Sequence, residues 1–290
     1  MQEIMKKEIN YVDLLQFMME HPNKRQALET VLYTKTQCIP NVLFKYYSLT
    51  DDDRLNSIKL RTLQNQQIYM SLSKDLNDPF DSKGYFYNPQ RLMEIERLKV
   101  HEGKLIDDFS TFTRVASLTS CGVNSMPMWA HYSANHKGFC VSYDMNVREN
   151  TQLKACVFPV QYTEKRLDIT ELMKVQAEKM DRIIREHQAE GKREIVFDDL
   201  TLIFTTTFFV NLKHSSWSYE QEYRCTIGEK REGEPYLSAI PKAIYIGAKC
   251  EQQNVIKLIN IAKELSIQAY MMILDDVSEE YALVPRLITA

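Results

Sequence analysis

The chain has 290 residues, of which 44% are hydrophobic and 26% charged, and a formal net charge of −3. That length suits one large domain or one domain with appendages, and the balance is ordinary for a globular protein. The charge excludes a surface coated in basic residues, though not a local basic groove. No run approaches the roughly 18–20 apolar residues of a membrane span, so a cytoplasmic protein without membrane contact is expected.

Residues 1–8 mix acids and bases without an apolar core and predict no secretory signal. Tyr11, Leu14, Leu15, Met18 and Met19 recur at helical spacing, and Asn23 suits the cap of a second helix ending near Tyr33. Residues 1–40 therefore read as a helical N-terminal extension, broken at Pro40. Residues 41–290 read as the main domain. It opens with a strand at 42–47, a helix from about 51 to 64 with an acidic start, and a strand at 68–71. Asn77-Asp78-Pro79-Phe80-Asp81 predicts a loop.

Helical stretches are expected within 88–112, a buried strand at 115–120, a short helix at 126–136 ended near Gly138, and strands at 139–143 and 157–162. A long polar helix spans about 168–188 and a second, with an aromatic face, 195–212. Together they make residues 165–212 a helical insertion between strands. Strands at 223–227, 243–247 and 269–274 and a helix at 252–265 complete the pattern. The predicted class is α+β: a central mixed or antiparallel sheet, continuous or split, decorated by helices. The six cysteines lack Cys-x-x-Cys spacing and sit largely in apolar runs, which points to reduced thiols and not to a zinc site.

Chemistry concentrates in four places. Lys45 and Tyr46 end the first strand; Tyr46 either lines a pocket or packs on the core with its hydroxyl at the rim. Ser71 and Ser73 precede Asn77, Asp78 and Asp81, and the two aspartates either bind Mg²⁺ or cap turns. Trp129 and Tyr132 share a helical face. Between them His131 acts as a donor or proton shuttle, or packs with both nitrogens satisfied.

The richest segment runs from Lys213 to Arg224. Glu220 and Glu222 stand two apart at a strand start, so an extended backbone turns both carboxylates into one cleft, with Arg224 on the same face. The pair serves acid–base chemistry or a cationic transition state, or it is a salt-bridged strand end. Dinucleotide, phosphate-loop, hydrolase-elbow and zinc-protease motifs are absent.

Phe44-Lys45-Tyr46-Tyr47-Ser48, Asn77–Asp81, Met128-Trp129-Ala130-His131-Tyr132 through Cys140, and Lys213–Arg224 resemble, in that order, the motifs of a bacterial family catalogued only as a domain of unknown function. The resemblance covers about residues 42–275. The arrangement is also similar to ADP-ribosyltransferases, with Ser71-Leu72-Ser73 as the serine motif and Glu220-Gln221-Glu222 as the glutamate motif. It departs at the first strand, where Lys45 and Tyr46 replace the arginine or histidine of that group.

The second resemblance implies NAD as substrate and no metal. Glu222 and Glu220 would be catalytic. Tyr46, Ser71, Ser73, Asn77, Trp129, His131, Tyr132, Lys213 and Arg224 would line the NAD site. It further implies an unknown protein or nucleic-acid acceptor and a neutralising or activating partner, in the setting of a toxin or anti-phage effector. Two rival readings stand beside it. One is a Mg²⁺-dependent nuclease using Asp78, Asp81, Glu220 and Glu222 with Lys213 or His131. The other is a non-catalytic ligand-sensing or interaction module.

Overall fold

The computed structural model describes residues 9–21, 23–104, 113–192, 200–228 and 235–288. In chain order the elements are α1 (Tyr11–Glu20), α2 (Lys24–Gln37), β1 (Val42–Tyr47), α3 (Asp53–Gln64), β2 (Gln67–Tyr69), β3 (Ser71–Leu72), β4 (Tyr85–Phe86), α4 (Pro89–Leu92), α5 (Glu96–Lys99) and β5 (Thr113–Thr119). Next come α6 (Met126–Tyr132), β6 (Phe139–Asp144), α7 (Thr151–Cys156), β7 (Val157–Pro159), β8 (Gln161–Thr163), β9 (Leu167–Asp168), α8 (Thr170–Ala189) and α9 (Leu200–Phe209). The chain continues with β10 (Leu212–His214), β11 (Glu222–Gly228), β12 (Tyr236–Ser238), β13 (Ala243–Ile246), α10 (Gln252–Glu264), β14 (Gln268–Leu274) and β15 (Leu283–Ile288).

The early helices begin where side chains can satisfy their free N–H groups. Asn10, Asn23 and Asp52 each accept from the first turn of α1, α2 and α3.

The main sheet runs β15-β14-β13-β6-β1-β5-β11-β7, with β3 also on β5, and is mostly antiparallel and open. This is the expected α+β class. β1 pairs with β5 only at Phe44↔Thr119, while β3 takes the same edge of β5 at Val115 and Arg114. Between these two pairings the sheet is split. The bridge across the gap is a side chain: Lys45 Nζ donates to the Ser117 carbonyl at 3.1 Å.

Strand alternation sorts the core onto two faces. Leu43 and Tyr47 of β1, Ala116 and Leu118 of β5, Val141 of β6 and Tyr223 and Cys225 of β11 point one way. There they pack with α3 and α10 through Leu60, Leu63, Val255 and Leu258. The other face carries two separate clusters. In one, α1, α2, α8 and α9 meet Val115 and Phe158, and Tyr11 stacks on Phe208 at 4.7 Å. In the other, Met128 and Trp129 of α6 pack on Tyr46, Cys140 and Met272. The N-terminal helices and the 165–212 helices thus belong to one apolar layer.

Several expected boundaries move. The strand expected at 68–71 is two short strands in different sheets: Gln67–Tyr69 pairs with β12, and Ser71 pairs with Val115 of β5. The helix expected to reach 136 ends at Tyr132, because Ala134, Asn135 and His136 take left-handed φ of 51°, 56° and 68°. The helix expected at 195–212 ends at Phe209, and Leu212–His214 is a strand parallel to β8. The expected start of that helix and the helical stretch beyond residue 104 lie outside the described residues, as do residues 1–8. β4, β9, β12, β15 and α7 have no counterpart among the expected elements.

Candidate functional site

On the face where Glu222 and Arg224 project, the two apolar clusters leave a gap, and a charged cluster fills it. The Arg224 side chain, fully buried, donates Nε to Glu222 Oε1 at 2.8 Å and Nη2 to Glu222 Oε2 at 3.0 Å. It also donates Nη2 to Asp81 Oδ1 at 2.5 Å and Nη1 to the Val210 carbonyl at 2.6 Å. Lys213 Nζ donates to Glu220 Oε2 at 2.7 Å and to Glu222 Oε2 at 3.1 Å, and lies 3.9 Å from Asp81 Oδ2. The ring of Trp217 covers that ammonium at 4.9 Å. Three carboxylates thus share two cations in a site shielded from water.

Each of these side chains is aimed by its own element. Glu222 and Arg224 are two residues apart on β11, hence on one face. Lys213 sits mid-way along the short strand β10, held in register with Tyr162 of β8. Asp81 closes a turn built by Asp78, whose carboxylate accepts the Phe80 N–H at 2.9 Å and whose carbonyl accepts the Asp81 N–H at 2.9 Å. Of the two aspartates, Asp78 therefore shapes the loop and Asp81 enters the cluster.

Glu220 arrives differently from the extended-strand expectation. It ends a 3₁₀ turn over Ser215–Glu220, and Gln221 is left-handed (φ 45°, ψ 51°). The two glutamates converge because of that turn and not through strand alternation. Thr119 of β5 pins the turn by donating Oγ1 to the Glu220 carbonyl at 2.6 Å.

The neighbours drive the two glutamates apart in acidity. Burial alone would raise Glu222, but Arg224 and then Lys213 outweigh it and hold the carboxyl down to about 2. Glu220 is raised, chiefly by burial, despite Lys213 and the Tyr132 hydroxyl that hydrogen-bonds its Oε1. Lys213 stays above its usual value because Glu222, Asp81 and Glu220 overcome its burial.

The acceptor positions differ as well. A carboxylate offers about four lone-pair sites. Glu222 takes two bonds from Arg224 and one from Lys213, and the neighbouring Ser117 side chain lowers its pKa further. Glu220 takes one from Lys213 and one from Tyr132, which leaves it spare capacity.

The cluster forms one wall of a cavity of about 220 Å³ at the split in the sheet. Tyr46, Ser71, Asn77, Tyr132, Lys213, Glu220 and Glu222 line it, as do Lys45, Tyr69, Asp81 and Ser117. Lys45 and Leu118 have the parity of one sheet face, and Phe44, Tyr46 and Glu222 that of the other, so the cavity passes through the split.

Four residues expected on the ligand do not line it. Ser73 is buried in a 3₁₀ turn after β3, so it does not share a strand face with Ser71. The Trp129 ring is fully buried, donates Nε1 to the Val123 carbonyl at 2.7 Å and meets Tyr46 edge-on at 5.0 Å. It anchors α6. His131 is exposed beside Tyr219, which fits neither a cavity proton shuttle nor a packed core imidazole. Arg224 lies behind Glu222, out of the cavity lining.

Sequence reasoning missed Ser117 and Tyr162, whose hydroxyl accepts the Glu222 N–H at 2.9 Å. A polar residue alternating within the apolar 115–118 run was the available signal for Ser117. Among the described residues no group of three or more His, Cys, Asp or Glu is placed to hold a metal ion. Three carboxylates do meet, but around the Lys213 ammonium. Among the described residues no helix is long and apolar enough to cross a membrane.

A family described as a protein of unknown function (DUF2971) matches residues 128–225, about a third of the chain. The matched span contains the 128–140 and 213–224 motifs, and the 44–48 and 77–81 motifs fall outside it. No curated protein matches the chain. No solved structure matches it either.

Proposed function

We propose that the chain is an ADP-ribosyltransferase-like enzyme that cleaves NAD at its nicotinamide–ribose bond and transfers ADP-ribose to an acceptor or to water. One observation carries the reading. Two adjacent buried carboxylates, set by their neighbours to different acidities, face a cavity at a split in the central sheet. Loss of nicotinamide leaves a cationic, oxocarbenium-like ribose, and a fixed ionised carboxylate is what stabilises it. Glu222 suits that role, because it stays ionised at every physiological pH. The substrate's 2′-hydroxyl would take the acceptor position that Arg224 and Lys213 leave open. Glu220, with spare acceptor sites and a raised pKa, would orient the acceptor and remove its proton.

The cavity is smaller than the roughly 300–1,000 Å³ of whole-ligand pockets. It would therefore hold the nicotinamide–ribose end, between Tyr46, Ser71, Asn77 and Tyr132, and leave the remainder of the dinucleotide outside. The toxin or anti-phage setting is an extension of this reading that rests on the resemblance alone.

The test is to incubate the pure protein with NAD and follow nicotinamide by chromatography, beside Glu222→Gln and Glu220→Gln variants with matched melting curves. Release should be lost in the first and strongly reduced in the second. Undiminished release by a folded Glu222→Gln variant would remove the assignment.

The three bonds that Arg224 and Lys213 already make to Glu222 favour a second reading, in which the cavity binds a ligand without turning it over. NAD that raises the melting temperature and is recovered intact would select it.

A further inference from the structure

The cavity holds two lysines in opposite situations. Lys213 is enclosed by Asp81, Glu220 and Glu222. Lys45, from the strand on the other side of the split, has no carboxylate partner among the described residues. Its ammonium meets the Ser117 carbonyl at 3.1 Å and the Tyr47 ring at 5.4 Å. Lys213 and Arg224 hold the three carboxylates of the cluster between them. Its Nζ carries three hydrogens and has one hydrogen-bond acceptor among the described residues, inside a cavity large enough for a small organic molecule.

We propose that Lys45 is a nucleophilic amine that forms a reversible imine with a small aldehyde or ketone bound in this cavity. The step balances without an outside oxidant or reductant. The neutral amine's lone pair attacks the carbonyl carbon, and the carbonyl π pair moves onto oxygen, which takes one proton from the nitrogen and one from an acid. The C–O bond then breaks, water leaves, and the nitrogen lone pair closes the C=N bond of a protonated imine. Glu220, whose pKa burial raises, lines the same cavity and supplies the acid's proton from its carboxyl oxygen.

The electrostatics agree with the geometry. Burial lowers Lys45 to about 8, and Glu222 and Cys225 on β11 pull only weakly the other way. Glu220, Asp81 and Tyr132 face the same cavity, but Lys213 and Arg224 offset the first two and the tyrosine is neutral. The free amine is therefore more populated near pH 7 than in an ordinary lysine. This inference is independent of the NAD reading, since it needs neither nicotinamide loss nor a dinucleotide.

The experiment uses glycolaldehyde at limiting concentration with sodium cyanoborohydride, which reduces the imine to a stable secondary amine, and peptide mass mapping of the full chain. Lys45 should label at least ten-fold faster at pH 7 than the exposed Lys257, with a half-maximal rate near pH 8. Lys45→Arg, which keeps the charge and a donor for Ser117, should lose that one adduct. Lys45→Met serves if the arginine variant unfolds. Labelling confined to exposed lysines, or a Lys45 rate that rises only near pH 10, overturns the proposal.

Discussion

At the β13–β14 end of the sheet, Ile244, Ile246 and Ala269 meet Val255, Leu258 and Ile261 of α10 in an apolar contact. At the β5–β11 end, the same alternation that buries Tyr223 and Cys225 on one face places Glu222 and Arg224 on the other, with Asp81 and Lys213 closing over them. Both regions are buried, yet they tolerate change differently. Apolar packing fails in proportion to the volume removed. A buried ion network fails when one partner is lost, because the remaining charges have no water to turn to. A region that needs so many satisfied polar contacts is a poor way to build a core, and that is the physical reason to look for function there.

The comparison can be broken most sharply at Arg224. Arg224→Met leaves Asp81 and Glu222 buried without their shared guanidinium, and the expected loss is about 3–5 kcal/mol in urea unfolding at pH 7. Leu258→Ala, in the apolar region, should lose about 2–4 kcal/mol, and by the same amount at pH 4 and pH 7. A pH-dependent Leu258→Ala effect would show that the two regions are coupled.

Acid sharpens the contrast. Glu222 is held down to about 2, below its unfolded value, so its stabilisation is present above the usual Glu range and is lost as pH falls towards 2. The swing is about 3 kcal/mol, since a difference of one pH unit between the folded and unfolded pKa is worth roughly 1.4 kcal/mol. Glu220 has the opposite sign: its folded value is raised, so its contribution is full below the usual Glu range and lost as pH rises through that raised value. Stability measured from pH 5 to pH 2 should therefore fall, and Glu222→Gln should flatten the slope.

Tyr132→Phe is milder. It removes the hydroxyl donor to Glu220 and should lower stability by about 1–2 kcal/mol. A further rise in the Glu220 pKa, seen by NMR titration, would mark the cause. Smallest is Ala134→Gly, at a left-handed φ of 51°, which should raise stability by about 0.5–1 kcal/mol.

Much of the element order was legible in the chain. β1 falls at 42–47 as the apolar run predicts, and α10 and α8 fall within two or three residues of their periodic patterns, because those segments carry a strong local signal. Short pairing strands were not legible: β3, β10 and β12 have two or three residues each, and only a partner strand makes them strands. The pairing of Glu222 with Arg224 was readable from their two-residue spacing. Glu220 reached the same point for a reason that spacing does not contain, the left-handed Gln221. Trp129 shows the converse: its position beside Tyr132 suggests a ligand contact, whereas its ring is buried outside the cavity lining and anchors α6.

By itself the sequence determined the α+β class, the helix cap at Asn23, the acidic start of the helix after residue 51, and which residues carry charge near a strand start, since these depend on propensity and on neighbours a few positions away. Tertiary structure alone decided that Asp81 meets Arg224 across 143 positions, that β1 and β3 divide one edge of β5, and that Lys45 stands in the resulting gap on the Ser117 carbonyl while Lys213 takes the carboxylates. Those outcomes follow from which surfaces pack together and which charges are already paired, and no local run of residues encodes either.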